Sequence, residues 1–243
     1  MSAKTKIPLT IAGFDPSSGA GLTADLATFQ HFGLKGVAVC TAVTYQNNNY
    51  FKDVDWISAE KIIAQIEVLS QEFDFEFIKI GLIENGDSLL KVIAFLLDKN
   101  PAIKIIWDPI LRASSGFDFH EEKGVQNLEK ILEKIWLITP NKKEAKNLFG
   151  EINEESLLKI SKKFKTNILV KSFKEDESYI SDLIINQKSI QTIDCQKINS
   201  SIHGSGCKLS AAILAHLFSG KGLVESCELA QFYLKNLLLN AKN

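Results

Sequence analysis

Leu9-Thr10-Ile11-Ala12-Gly13-Phe14-Asp15-Pro16-Ser17-Ser18-Gly19-Ala20-Gly21 decides how the rest of the chain is read. A short apolar run ends in a glycine-rich loop, and the loop runs into a helical stretch from Leu22 to Phe32. Strand, loop and helix in that order open a βαβ unit, and the pattern continues downstream. Val37-Ala38-Val39-Cys40, Phe77-Ile78-Lys79-Ile80, Ile103-Lys104-Ile105-Ile106-Trp107, Trp136-Leu137-Ile138 and Ile168-Leu169-Val170 read as buried strands. Between them, residues 58–72 align Ile62, Ile63, Ile66 and Leu69 on one helical face, and 87–98 align Leu90, Ile93, Ala94 and Leu97. Repeated strand-helix-strand units predict a mainly parallel sheet with helices on both faces.

Two stretches interrupt the alternation. Residues 44–56, with Asn47-Asn48-Asn49 between Tyr45 and Phe51, predict a small β flap leaving the sheet. Residues 178–198 predict two adjacent strands, Tyr179 to Ile185 and Ser189 to Ile193, as an antiparallel edge. The last helices are expected near 206–219 and 223–240. No repeat or linker divides the chain, and 243 residues suit one α/β domain, read over 1–243.

Hydrophobic residues at 45% and charged residues at 23% exclude a disordered or coiled-coil chain. With 28 basic against 29 acidic side chains, no global charge calls for nucleic acid or a membrane surface. Cys40, Cys195, Cys207 and Cys227 form no C-x-x-C pair and the four histidines are scattered, which removes zinc and redox motifs. Met1–Pro8 holds no signal-length apolar stretch, and no segment has the length of a membrane span. A reduced, cytoplasmic protein is the expectation.

Chemistry concentrates at His203-Gly204-Ser205-Gly206-Cys207-Lys208-Leu209-Ser210, where a loop with two glycines enters a small-residue helix. Helix-start amides and the helix dipole make a seat for a phosphate and would favour a thiolate at Cys207; an ordinary helix cap is the alternative. The Gly13–Gly21 loop lies at the carboxyl end of a strand, where open α/β sheets bind ligands, or is a simple βα turn. A G-x-G-x-x-G loop would need glycines where Asp15 and Ser18 stand, and no Walker sequence occurs, so a nicotinamide enzyme is disfavoured. Asp108, directly after a strand, is the best metal-related carboxylate, with Glu144 beside Asn141-Lys142-Lys143 as another. Asp25 taken alone reads as a solvated helix acid, and Gln46 as an isolated donor and acceptor.

Taken in order, these segments resemble the hydroxymethylpyrimidine and phosphomethylpyrimidine kinases of thiamine biosynthesis, within the ribokinase superfamily. The resemblance runs through Leu9–Gly13, Asp15-Pro16-Ser17, Gly19-Ala20-Gly21, Ala24-Asp25-Leu26, Thr41-Ala42-Val43 with Gln46-Asn47, and Lys79-Ile80-Gly81. It continues through Asp108-Pro109, Thr139-Pro140-Asn141 with Glu144-Ala145, and His203–Cys207 with Leu209–Ala212. It implies a three-layer α/β/α ribokinase-like fold, a homodimer, and transfer of the γ-phosphoryl of ATP, with Mg²⁺, to an aminopyrimidine alcohol and then to its monophosphate. By position, Gly13, Ala20, Gly21, Asp25, Gln46 and Gly81 would surround the pyrimidine, and Asp108 and Glu144 would hold the metal. Asn141, Lys171 and Lys208 would face nucleotide phosphates. Gly204, Ser205 and Gly206 would stabilise the transferred group, and Cys207 would take the alcohol proton.

The chain departs from that pattern in three places. Ser18 replaces a glycine, Lys171-Ser172-Phe173-Lys174 replaces a Lys-Gly-Gly-His loop, and Lys208 replaces a threonine. Lys208 either reinforces the phosphate seat or obstructs it. Two alternatives stand beside the kinase reading: a weakened, pyrimidine-binding regulatory relative, and a kinase for a pyridoxal-type vitamin.

Overall fold

The structure, a computed structural model, describes residues 4–112, 116, 117, 119 and 125–241. Met1–Ala3 and Lys242–Asn243, the extreme ends of the span read as one domain, lie outside the described residues. In chain order the elements are β1 (Thr5–Lys6), β2 (Leu9–Phe14), α1 (Gly21–His31), β3 (Val37–Gln46), β4 (Phe51–Trp56), α2 (Ala59–Glu72), β5 (Phe73–Asp74), β6 (Phe77–Ile80), α3 (Gly86–Lys99) and β7 (Lys104–Trp107). They continue as α4 (Leu128–Leu132), β8 (Leu137–Ile138), α5 (Lys142–Phe149), α6 (Glu154–Phe164), β9 (Asn167–Glu175), β10 (Tyr179–Ile185), β11 (Ile190–Gln196), α7 (Ser205–Phe218) and α8 (Leu223–Asn240).

Among the described residues, nine strands form one sheet in the order β11-β10-β9-β8-β7-β6-β2-β3-β4. The run from β9 to β3 is parallel, while β4 at one edge and β10 and β11 at the other are antiparallel. The parallel sheet is buried on both sides because its strands alternate between two cores. Ile78, Ile105, Ile138 and Ile168 pack with Ile62 and Ile66 of α2 and Leu89, Val92 and Ile93 of α3. Their neighbours Phe77, Ile106, Leu137 and Leu169 pack with Phe29 of α1, Leu209 to Leu217 of α7, and Cys227 and Ala230 of α8. A period of two in the strands thereby sorts the helices into two outer layers, the predicted α/β/α arrangement.

The expected β flap is a hairpin at the sheet edge: β3 runs past its last pairing with β2, at Val43, to Gln46, turns, and returns as edge strand β4 with Gln46 opposite Phe51. The apolar run Val37–Cys40 therefore marks less than half of β3, whose outer part alternates between buried and exposed residues. The short pair β1–β5 was not foreseen; two-residue strands carry no periodicity to read.

Candidate active site

The carboxyl ends of the parallel strands open onto a cleft of about 1230 Å³. That exceeds the roughly 300–1,000 Å³ typical of one small-ligand pocket and leaves room for two. Gly13, Ala20, Gly21, Gln46 and Cys207 line it, together with Asp108, Asn141, Glu144, Lys171, and Gly204 to Gly206. It extends over Ile180, Asp182, Gln231, Leu234 and Leu238.

Its floor starts at α7. The preceding residue, Gly204, has φ +72 and ψ 21, and no side chain caps the helix. Only glycine serves there, since a Cβ would stand 2.2 Å from the Gly19 carbonyl oxygen. The first-turn amides of α7 are left without intrahelical acceptors, beside the cleft, at the stretch the sequence offered as a candidate phosphate seat.

Lys171 lies beside that seat, its Nζ 3.2 Å from where a Gly206 Cβ would be. It donates to Asp108 Oδ1 at 2.7 Å, and the same carboxylate accepts from Thr139 Oγ1 at 3.1 Å and Ser210 Oγ at 3.0 Å. Burial pushes Asp108 upward, but Lys171, Lys79 and these hydrogen bonds outweigh it and hold the carboxyl below its usual range. Glu144 behaves oppositely. Burial, with Asp108 adding to it and Lys171 only partly offsetting it, pushes this carboxyl up to about 7.

Glu144 has a structural role that the sequence reading missed. Its Oε2 accepts from the Asn141 amide at 2.8 Å while the Asn141 side chain accepts from the Lys143 and Glu144 amides, forming a capping box for α5. The Asn-x-x-Glu spacing was the available signal.

Four sequence-based expectations are corrected. Asp25 lines no part of the cleft; it is fully buried, its carboxylate 2.6 and 2.7 Å from Lys79 Nζ and 2.5 Å from Thr10 Oγ1. Helix α1 turns it inward to meet the one lysine of a buried strand, and Lys79, itself fully buried, is the residue missed. A lysine inside Phe77-Ile78-Lys79-Ile80 was the clue, because a buried ammonium demands a carboxylate. Gly81 lies outside the main cleft and lines a minute cavity with Ile83 and Trp107. Lys208 does not face the cleft: its Nζ donates to the carbonyl oxygens of Gly19 and His203. Finally, the Cys207 thiol is raised rather than lowered. Burial is the main cause, and Asp108 and Asp25 add to it beyond what Lys79 and the Gly21 amide offset.

The two glycine-altered loops keep the backbone that glycine would give. Ser172 has φ +50 and Ser18 φ +60, both left-handed. The Ser172 amide donates to Asp182 Oδ1 at 2.8 Å, which holds that turn in place.

Among the described residues no three His, Cys, Asp or Glu side chains gather as a metal cluster, and no helix is long and apolar enough to cross a membrane. Known proteins match nearly the whole chain. The chain is 33% identical over 244 residues to a hydroxymethylpyrimidine/phosphomethylpyrimidine kinase of Aquifex aeolicus, covering 97% of this chain and 95% of that protein. Its fold matches a crystal structure of phosphomethylpyrimidine kinase from Clostridium difficile, with TM-score 0.78, 28% identity and coverage of 96% and 99% of the two chains. It also matches pyridoxal kinase from Staphylococcus aureus in complex with AMP-PCP, with TM-score 0.80, 25% identity and coverage of 97% and 89%. The family described as phosphomethylpyrimidine kinase matches residues 15–243, and the chain, with its ribokinase-like fold and glycine-started α7, belongs to that family.

Proposed function

We propose that the protein phosphorylates the hydroxymethyl group of 4-amino-5-hydroxymethyl-2-methylpyrimidine with ATP, and then the resulting monophosphate, in thiamine biosynthesis. The observation that carries this reading is the juxtaposition of Cys207, the open amides of α7 and the Asp108–Lys171 pair in one cleft large enough for two ligands. The pyridoxal kinase likeness supports ATP as donor, since that relative was solved with an ATP analogue.

Phosphoryl transfer needs alignment and charge neutralisation more than covalent help. In this reading the amides of Gly204 to Cys207 and the Lys171 ammonium hold charge on the transferred group, and Gln46 and the backbone of Gly13, Ala20 and Gly21 hold the ring. Asp108 and Glu144 supply hard oxygens that fit Mg²⁺ held jointly with nucleotide phosphates, and a cation there would displace the proton that Glu144 retains near neutrality. Mg²⁺, when bound, would neutralise phosphate charge. The alcohol proton becomes acidic as its oxygen bonds to phosphorus, so the thiolate form of Cys207 takes it late in the transfer. Because burial raises the thiol, kcat should climb with pH beyond the ordinary thiol range, and Cys207→Asp should flatten that climb. The same reading makes the protein a cytoplasmic homodimer.

The test is a substrate panel. Purified protein with Mg-ATP is given the hydroxymethylpyrimidine, its monophosphate or pyridoxal, and ADP and phosphorylated product are measured. Turnover of both pyrimidines is expected. Binding without ADP formation would favour a regulatory relative, and turnover of pyridoxal alone would overturn the thiamine assignment.

A further inference from the structure

Lys208 occupies an unusual position for a cation. It sits in the first turn of α7, where the helix dipole opposes it, and among the described residues no carboxylate pairs with it. Its Nζ instead donates to two carbonyl oxygens on different loops, that of Gly19 and, at 2.8 Å, that of His203. The first loop carries Ala20 and Gly21 of the alcohol end of the cleft, and the second carries Gly204 to Gly206 of the phosphate seat.

The two loops already touch without a gap. A Cβ on Gly19 would stand 2.2 Å from the His203 ring, and one on Gly204 would stand 2.9 Å from the Ala20 Cβ. A second tie runs beside the lysine: His203 Nε2 lies 2.9 Å from Asp15 Oδ2, and Asp15 also accepts from the Ser17 and Ala20 amides. Asp15 thus sets the first loop, His203 joins it to the second, and Lys208 bridges both from below. Burial draws the lysine's pKa down, and Cys207, Asp15 and Asp25 offset only part of that.

We infer that Lys208 is a positioning residue whose ammonium fastens the Asp15–Gly21 loop to the Ile202–Gly206 loop, so that the alcohol pocket and the phosphate seat exist as one preformed unit before either ligand arrives. This inference rests on the kinase reading above. Its consequence is energetic coupling. With the loops fastened, each ligand meets a site already ordered. With them loose, the first ligand must order both loops and the second binds to loops already set, which is positive cooperativity without a new contact.

The experiment is calorimetric titration of AMP-PCP into wild type, Lys208→Met and Lys208→Arg, each with and without saturating hydroxymethylpyrimidine. In Lys208→Met the affinity for AMP-PCP alone should fall about tenfold, and added pyrimidine should restore most of it, so the coupling factor rises by about tenfold over wild type. Steady-state rates should show KM rising more than kcat falls. Lys208→Arg, which can still donate to both carbonyls, should behave as wild type. If Lys208→Met fails to fold, Lys208→Gln keeps a donor for one carbonyl and carries the same test with a smaller effect. Unchanged affinity and coupling would overturn the inference, as would a loss of nucleotide affinity that pyrimidine does not restore, the mark of a direct phosphate contact. Wild-type protein that binds neither ligand would instead overturn the kinase reading, and this inference with it.

Discussion

Two aspartate–lysine pairs stand on this sheet at nearly the same distance, and they do different work. Asp25–Lys79 is 2.6 Å apart with both side chains fully shielded. Asp108–Lys171 is 2.7 Å apart, but its lysine side chain keeps 13% of its surface and both residues line the cleft. The sealed pair has no ligand to meet. Burial would lower Lys79, yet the Asp25 carboxylate against it raises its pKa, so the charge stays fixed under α1. The open pair can exchange partners, and Lys171 can turn to an arriving phosphate while Thr139 and Ser210 keep Asp108 satisfied. On the proposed reading, identical chemistry serves the framework in one place and a substrate in the other, with exposure deciding which.

Breaking each pair should separate these roles. Lys79→Met leaves a buried carboxylate uncompensated and should cost about 3–5 kcal/mol in denaturant unfolding, with Asp25→Asn added to it restoring much of the loss. Lys171→Met should cost the fold much less, yet lower kcat by about 10²–10³-fold through lost charge stabilisation, as steady-state assays would show. If the two variants lose stability equally, the distinction between the pairs fails.

Smaller effects sharpen the contrast around the open pair. Glu144 keeps its proton to about 7 in the folded protein against 4.5 when exposed, so the native state binds more protons between those values. Stability should therefore fall as pH rises through that window. Glu144→Gln preserves the capping box, removes the slope, and should stabilise the fold by on the order of 2 kcal/mol at pH 8. Ser172→Gly relieves a left-handed serine beside Lys171 and should add about 0.5–1 kcal/mol in thermal unfolding, with kcat little changed.

How much of this was legible in the sequence follows from the range of each interaction. The parallel sheet was readable because Ile105-Ile106 and Ile168-Leu169 feed opposite cores, which forces continuous apolar runs. The antiparallel edge was readable from its turn, Asn186-Gln187-Lys188. The full length of β3 was less legible, because its outer half alternates between buried and exposed residues once its apolar start is passed. At the site, Gly204–Cys207 stood out through local helix-start chemistry. Asp25 and Lys208 were misplaced because their partners, Lys79 and Gly19, lie 54 and 189 residues away, and no local pattern reports them. The cysteine's pKa depends on burial beneath both loops, which only the assembled fold reveals.

The most direct measurement compares wild type and Cys207→Ala for turnover of the hydroxymethylpyrimidine, with pyrimidine affinity determined on the same preparations. The account predicts kcat lower by about 10²–10⁴-fold with the dissociation constant nearly unchanged. Wild-type turnover in Cys207→Ala would contradict it, since the cleft would then need no proton acceptor at that position.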